Sequence, residues 1–222
     1  IPSSNENLFE FYRNKEFFSQ LLQKNIDIKK PCIQNINVEL PPFIKNKFIV
    51  LFPGGSSRNK MWSSKYFQEV AKFILENYSL DIVLTGSKQE EYLFNEIIIN
   101  EFSERFINLC GNTLVELAKL ISEAELLISN DTSAIHFAAA VDTPFICITN
   151  GNHYGRFFPY PKEIFDKGIY IYPREIKDKI NLNEVQEKLR YKSDFDINSI
   201  LPKEVIEKIK LIISKELDLN YN

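Results

Sequence analysis

The sequence predicts an α/β fold, a Rossmann-like parallel sheet with helices on both faces. Three observations lead there. Short apolar runs such as Phe48-Ile49-Val50-Leu51-Phe52 and Leu126-Leu127-Ile128 alternate with amphipathic stretches of helical spacing. The runs are apolar throughout rather than apolar on alternate residues, as strands covered on both faces are. Each connection is long enough to hold a helix, and strand-helix-strand units of that kind close as right-handed crossovers between parallel strands.

Residues 1 to about 30 carry Leu8, Phe9, Phe11, Tyr12, Phe17, Phe18, Leu21 and Leu22 among charged residues, a helical spacing whose aromatic face calls for a partner. With no strand before it, this segment reads as an arm that packs on another domain or on the back of this one. Pro31 before Cys32, and Pro41-Pro42 after Leu40, disfavour helix and predict an extended linker. Residues 1–45 are therefore expected to be a helical arm and linker, the remnant of a preceding domain. Ile rather than Met at position 1 fits an excised or processed piece of something longer.

The regular pattern starts with the strand Phe48 to Phe52, followed by Tyr66, Phe67, Val70, Ala71, Ile74 and Leu75 on one face of a helix. Next come a strand from Asp81 to Thr85, a helix from Glu90 to Asn100 and a strand from Phe106 to Leu109. Thr113 to Ser122 reads as a helix opened by the capping box Thr113-Leu114-Val115-Glu116. Leu126-Leu127-Ile128 forms a short central strand, and Ser129-Asn130-Asp131-Thr132-Ser133 turns it into a helix whose alanines and Phe137 suit close packing on a sheet. The turn Asp142-Thr143-Pro144 introduces a strand from Phe145 to Thr149. After Gly168 the chain gives a weak strand, Ile169-Tyr170-Ile171, and helices over about 182–190 and 202–217. The Rossmann-like unit is thus placed at 46–175 and the carboxyl-terminal helices at 176–222.

With 222 residues, 44% of them hydrophobic, the chain can bury one good core rather than build two full domains. A net charge of −3 leaves no cationic excess to neutralise phosphates, which argues against a nucleic-acid binder. Cys32, Cys110 and Cys147 are scattered, with no C-x-x-C pair, so no disulfide framework or zinc knuckle is indicated and a reducing, cytoplasmic setting fits. No apolar run approaches the roughly 20 residues that span a bilayer, so no transmembrane segment is expected.

Ligands of such sheets sit beyond the carboxyl ends of the strands, which directs attention to the loops 53–62, 86–91, 110–112, 130–133 and 150–160. The junction at Asp131, Thr132, Ser133 and Ala134 offers free N–H groups and the positive end of a helix dipole, a natural anion site. His136 lies about one turn in, within reach of the same crevice. An ordinary helix cap with one satisfied histidine is the plainer alternative. In Pro53-Gly54-Gly55-Ser56-Ser57-Arg58-Asn59-Lys60-Met61-Trp62, paired glycines allow close backbone approach, Ser56 and Ser57 add hydroxyl donors and Lys60 adds charge, which together suit a diphosphate. The alternative is a glycine turn with a solvated basic flank and Trp62 as a packing residue. Neither the P-loop spacing nor a G-x-G-x-x-G fingerprint is present. Glu90 could hold ribose hydroxyls or stand as a solvated helix start. In the loop after the last central strand, His153 and Arg156 are further candidates for a phosphate or acceptor, while Phe157, Phe158 and Tyr160 either stack on a ligand or roof the sheet.

Taken as an ordered set, Pro53-Gly54-Gly55, Lys60-Met61-Trp62, Gly86, Gly111 with Leu114-x-Glu116-Leu117-Ala118, and Asp131-Thr132-Ser133-Ala134-Ile135-His136 with Ala138-Ala139-Ala140 resemble the carboxyl-terminal half of glycosyltransferase family 9, the lipopolysaccharide heptosyltransferases. The likeness covers roughly residues 45 to 160. It implies the carboxyl-terminal domain of a GT-B fold, in which two Rossmann-like domains face each other and the second binds a nucleotide-diphosphate sugar without a metal or other cofactor. Lys60 matches the family's K-x-W lysine at the donor phosphate, and Asp131, Thr132 and His136 match its D-T-G-x-x-H pattern at the sugar diphosphate. Ser133 stands where that pattern carries glycine, and the loop Asn150 to Tyr160 departs from the glycine-proline-threonine loop of heptosyltransferases, so the donor sugar is left open.

The resemblance makes the chain the donor-binding part of an inverting glycosyltransferase in lipopolysaccharide or surface glycan synthesis, cytoplasmic or peripheral at the inner membrane. Its partners would be a nucleotide-sugar donor, a glycan or glycolipid acceptor and an amino-terminal Rossmann-like domain that supplies the general base, a carboxylate. By itself the chain is expected to bind donor and transfer little sugar. Two other readings stay open: a non-catalytic sugar-nucleotide or phosphate binding module, and a GT-B sugar-nucleotide epimerase.

Overall fold

A computed structural model of the chain describes residues 8–179 and 182–219. Helix α1 (Glu10–Leu22) ends at Gln23, whose left-handed backbone (φ 51°) closes the last turn. Its aromatic face divides in two. Phe9, just ahead of the helix, is buried against Tyr160 at 5.4 Å between ring centroids, and Phe11 packs on the same ring at 6.0 Å. Phe17, Phe18, Leu21 and Leu22, further along, are exposed. The helical spacing read across residues 1 to about 30 is thus realised over thirteen residues. Between α1 and the first strand the described chain holds no regular element, as the prolines require.

Six strands follow: β1 (Phe48–Phe52), β2 (Asp81–Leu84), β3 (Phe106–Asn108), β4 (Leu126–Asn130), β5 (Phe145–Ile148) and β6 (Gly168–Ile171). They form one sheet in the order β3-β2-β1-β4-β5-β6, and every pair is parallel. The register sets Val50 beside Val83 and Leu127. This order reverses direction between β1 and β4, so the crevice of a doubly wound sheet opens there, between the loops that leave these two strands.

Alternate strand residues feed two cores. Ile49, Leu51, Ile82, Leu84 and Ile128 meet α2 (Ser64–Asn77), α3 (Tyr92–Ile97) and α8 (Pro202–Leu219) on one face. On the other, Val50, Val83, Leu127, Phe145 and Cys147 meet α4 (Leu114–Ser122), α5 (Ser133–Val141) and the aromatic residues at the start of α1. The capping box at α4 forms as its spacing predicts: the Thr113 amide donates to Glu116 Oε2 at 2.7 Å and the Glu116 amide to Thr113 Oγ1 at 3.3 Å.

One element differs from its sequence reading. The helix expected from Glu90 to Asn100 is a 3-10 turn (Lys88–Glu90), the short α3, and a second 3-10 stretch (Asn100–Arg105). Ile98, within a run of three β-branched residues, adopts extended backbone (ψ 142°) and stops the helix. At the carboxyl end, α6 (Arg174–Lys177) is one turn long, and α7 (Asn183–Leu189) precedes α8. The Trp62 indole N–H donates to the Ile200 carbonyl at 2.8 Å, and Ile197, Ile200, Val205 and Ile209 join the same core as β1. Among the described residues no helix is long and apolar enough to cross a membrane.

Candidate functional site

Two asparagines, each ending or following a central strand, draw three loops together at the crevice. Buried Asn130, the last residue of β4, donates from Nδ2 to the carbonyls of Pro53 (2.7 Å) and Gly54 (3.0 Å), while its Oδ1 accepts from the Trp62 amide (3.1 Å). Both ends of the loop after β1 are thereby held by one side chain. Asn150, beyond β5, donates to the Asn59 carbonyl at 3.1 Å and accepts from the Asn152 amide at 3.1 Å. Neither was singled out from sequence; the available signal was an amide residue directly closing an apolar strand, where strand hydrogen bonding stops and backbone groups of neighbouring loops need partners.

The loop so held carries Lys60 to Asp131. Lys60 Nζ lies 3.4 Å from Asp131 Oδ2, and the two side chains are only 14% and 10% exposed. Burial pushes the Asp131 carboxyl above its ordinary range, and the charges of Lys60 and His153 oppose that rise. Thr132, not Asp131 or Ser133, caps α5: its Oγ1 accepts from the Ala134 amide at 3.2 Å and lies 3.1 Å from Ser129 Oγ. Ser133 is exposed and Ala134 buried. His136 turns to the aromatic layer, its Nδ1 2.8 Å from the Tyr160 hydroxyl, and burial lowers its pKa. His136 is half-buried, with Nδ1 engaged by this contact.

At the glycine pair, the amide of Gly55 is met by a carboxylate from within the chain. Glu90 Oε1 accepts from the Gly55 amide at 2.9 Å, and Glu90 Oε2 accepts from the amide (2.8 Å) and hydroxyl (2.7 Å) of Ser87. A Cβ on Gly54 would stand 2.1 Å from Glu90 Oε1, so glycine is needed there to admit the carboxylate. Glu90 closes the capping box that starts the 3-10 turn Lys88–Glu90 and also ties the loop after β1 to the loop after β2. Ser56 and Ser57 lie exposed on the rim, with the Ser57 hydroxyl donating to Asn59 Oδ1 at 2.6 Å.

The loop after β5 reaches the same crevice. His153 has a left-handed backbone (φ 67°), its Nδ1 lies 3.4 Å from the Arg190 carbonyl, and its pKa is lowered first by burial and then by the Lys60 charge, against Asp131. His153 is therefore within electrostatic reach of the Lys60 and Asp131 pair. Arg156 points elsewhere: its Nε lies 3.2 Å from Glu10 Oε2, and its guanidinium sits over the Phe157 ring at 4.7 Å. Phe158 and Tyr160 are buried as a roof on the sheet. Among the described residues no three His, Cys, Asp or Glu side chains cluster as a metal-binding set.

The crevice thus presents one ammonium, the start of a nine-residue helix and one carboxylate in close order. The two positive features suit an anionic diphosphate, and the carboxylate suits a hydroxyl beside it.

The sequence model of glycosyltransferase family 9 (heptosyltransferase) matches residues 6–172. Among curated proteins, the lipooligosaccharide heptosyltransferase 2 of Campylobacter jejuni is 29% identical over 144 residues, 62% of this chain and 44% of that protein. Among solved structures, the E. coli ADP-heptose LPS heptosyltransferase II superposes with a TM-score of 0.61 at 19% identity, covering 91% of this chain and 51% of that one. The E. coli heptosyltransferase WaaC with ADP-2-deoxy-2-fluoro heptose superposes with a TM-score of 0.63 at 18% identity, covering 90% and 54%. These superpositions establish the fold, and the chain spans about half the length of the relatives it matches.

Proposed function

The chain belongs to glycosyltransferase family 9, the heptosyltransferases, and on that premise we propose that it is the donor-binding part of an inverting, metal-independent glycosyltransferase. The observation that carries the reading is the Lys60 and Asp131 pair, held at the point where the sheet reverses direction and beside the start of α5. The donor would be a nucleotide-diphosphate sugar of the ADP-heptose kind, the class named for the E. coli relatives. The product would belong to lipopolysaccharide core or surface glycan synthesis, as the name of the Campylobacter relative suggests.

In this reading Lys60 exchanges Asp131 for the donor phosphate. As the bond from the anomeric carbon to the diphosphate oxygen breaks, negative charge grows on the leaving nucleoside diphosphate. Lys60 and the amino end of α5 stabilise that charge, with the hydroxyls of Ser133 and of Ser56 and Ser57 at the edge. Asp131, released from Lys60, accepts from a sugar hydroxyl and orients the ring. Inversion requires the acceptor hydroxyl to attack from the opposite side. The carboxylate base and the glycan or glycolipid acceptor site belong to an amino-terminal Rossmann-like domain, so the chain by itself binds donor and transfers little sugar.

Calorimetric titration of the chain with ADP-, GDP-, UDP- and CDP-sugars tests this. One nucleotide series is expected to bind, and Lys60→Ala to weaken it by at least about tenfold, the scale of one charge-assisted hydrogen bond. Absence of binding by all four would overturn the reading. Turnover of a nucleotide sugar with no acceptor present would point to an epimerase instead.

A further inference from the structure

Outside the crevice, three guanidinium groups converge where α1, the loop 150–160 and α7 meet. Arg13 Nη1 and Arg156 Nε both contact one oxygen, Glu10 Oε2, at 3.4 and 3.2 Å. Arg190 is buried (5% exposed) and donates from Nη1 to the Gly155 carbonyl at 3.2 Å and from Nη2 to the Leu8 carbonyl at 2.7 Å. The electrostatics tie the three together: burial lowers the Arg190 pKa, and both Arg13 and Arg156 push it the same way while Tyr191 and Glu10 oppose.

The contacts seen in the cluster among the described residues use few acceptors. Three guanidiniums carry five N–H donors each, and Glu10 meets Arg13 and Arg156 through a single oxygen. Arg13 Nε is buried with no hydrogen-bond partner among the described residues, the kind of orphaned donor that native interiors rarely tolerate. Glu10 engages Arg156 at Nε, not at its terminal nitrogens, so the forked end of that side chain is not spent on the ion pair. Beside Arg190 lies a cavity of about 260 Å³ walled by Tyr154, Gly155, Asn183, Gln186 and Glu187. Glu187 brings a second carboxylate, but an exposed one, which water screens.

The chemistry selects the ligand. A guanidinium fork matches the paired oxygens of a carboxylate or phosphate, whereas an ammonium would bind as a point charge. A tyrosine ring with asparagine and glutamine amides is the wall that a sugar ring and its hydroxyls fit. His153 lies between the site and the crevice: its Nδ1 is 3.4 Å from the Arg190 carbonyl, and the charges of Lys60, Asp131 and Arg156 all act on its ring.

We propose that Arg13, Arg156 and Arg190 form a second oxyanion site, which takes the phosphate monoester or carboxylate group of an acidic saccharide. The site lies outside the donor crevice and does not depend on the transferase reading above. Glu10 holds the guanidiniums in place in the absence of ligand and competes with it when ligand arrives.

The test uses the full chain carrying Lys60→Ala, so that the crevice contributes little anion affinity. Glucose 6-phosphate, glucuronate and neutral glucose are titrated by calorimetry. The acidic sugars are expected to bind and glucose not, with the tighter of the two naming the group. Adding Arg13→Gln and Arg156→Gln should weaken binding by about tenfold or more, and adding Glu10→Gln should tighten it severalfold. Should the double arginine change unfold the chain in a melt, Arg156→Lys, which keeps charge but loses the fork, is expected to weaken binding in its place. Binding of neither acidic sugar, or binding that survives the arginine changes, overturns the proposal. So does a Glu10→Gln chain that melts earlier and gains no affinity, because the arginines would then serve only to hold α1. Failure of the donor reading shows separately, as no nucleotide binding by the chain with Lys60 intact.

Discussion

Asp131 carries two opposed demands. Its burial disfavours the charged carboxylate, and Lys60 at 3.4 Å favours it, with burial the larger effect. A carboxyl whose folded pKa lies above its unfolded value of 3.8 contributes stability that is full below that value and lost as pH rises through the folded one. Ionising Asp131 therefore costs the folded state more than the unfolded one, in a site shaped for ligand. The two perturbed histidines run the other way: burial lowers His136 and His153 from 6.5, so their contribution is present above that pH and lost as it falls through their folded values. Asp131→Asn separates the terms. The variant is expected to melt at pH 7 no earlier than the parent, with a smaller gain on acidification towards pH 4, and to bind ADP severalfold more tightly because Lys60 no longer has a competing carboxylate. Its preference for an ADP-sugar over ADP should shrink, since the hydroxyl acceptor is weakened. Earlier melting at pH 7 together with weaker ADP binding would show that the carboxylate supports the phosphate site rather than competing with it.

At the scale of elements, the loops after β1 and β2 act as one piece because Glu90 bonds Gly55 between them. Gly54→Ala would force a Cβ to within 2.1 Å of Glu90 Oε1, and the expected cost is about 1–3 kcal/mol by denaturant melts. In a Glu90→Ala background the clash is absent, so most of the Gly54→Ala cost should vanish; additive losses in the double variant would mean that the glycine is needed for another reason. The same pair marks the limit of what sequence shows. The α4 capping box spans three residues and was readable as Thr113 to Glu116, and the apolar runs named every strand of the sheet, because these signals are local. The Glu90 to Gly55 bond spans 35 residues, and the Arg156 to Glu10 contact spans 146. No local pattern announces them. A glycine pair that admits a carboxylate reads the same as one that admits a phosphate, so the sequence leaves this loop open between a diphosphate site and a plain glycine turn. Asn130 and Asn150 escaped notice for a related cause: their partners are backbone carbonyls and amides of distant loops, which carry no residue signature.

At the scale of the whole molecule, the carboxyl-terminal residues complete the core on one face of the sheet. Trp62, the single tryptophan, is 2% exposed and packs on Phe67 at 5.1 Å between ring centroids while its N–H reaches the Ile200 carbonyl. The Ser63 amide donates to Asn198 Oδ1 at 2.8 Å, and Ser193 Oγ donates to the Asn150 carbonyl, so both crevice loops are braced by residues 193–200. Val205 and Ile209 of α8 are fully buried in the core that contains Ile49 and Leu51 of β1. Burying side chains of that size contributes about 1.5–3 kcal/mol each, a sum comparable to the whole net stability of a domain, about 5–15 kcal/mol. The sheet and the segment after α7 should therefore unfold together. Tryptophan fluorescence, reporting the Trp62 junction, and circular dichroism, reporting all helices, are expected to give coincident urea curves. A chain ended at residue 190 should show a red-shifted emission and little cooperative unfolding, and it should lose nucleotide binding even though Lys60 and Asp131 remain, because the loop that carries Lys60 would be fixed at its Trp62 end by Asn130 alone. A truncated chain that still melts cooperatively with the parent's emission maximum would make the carboxyl-terminal helices an independent appendage.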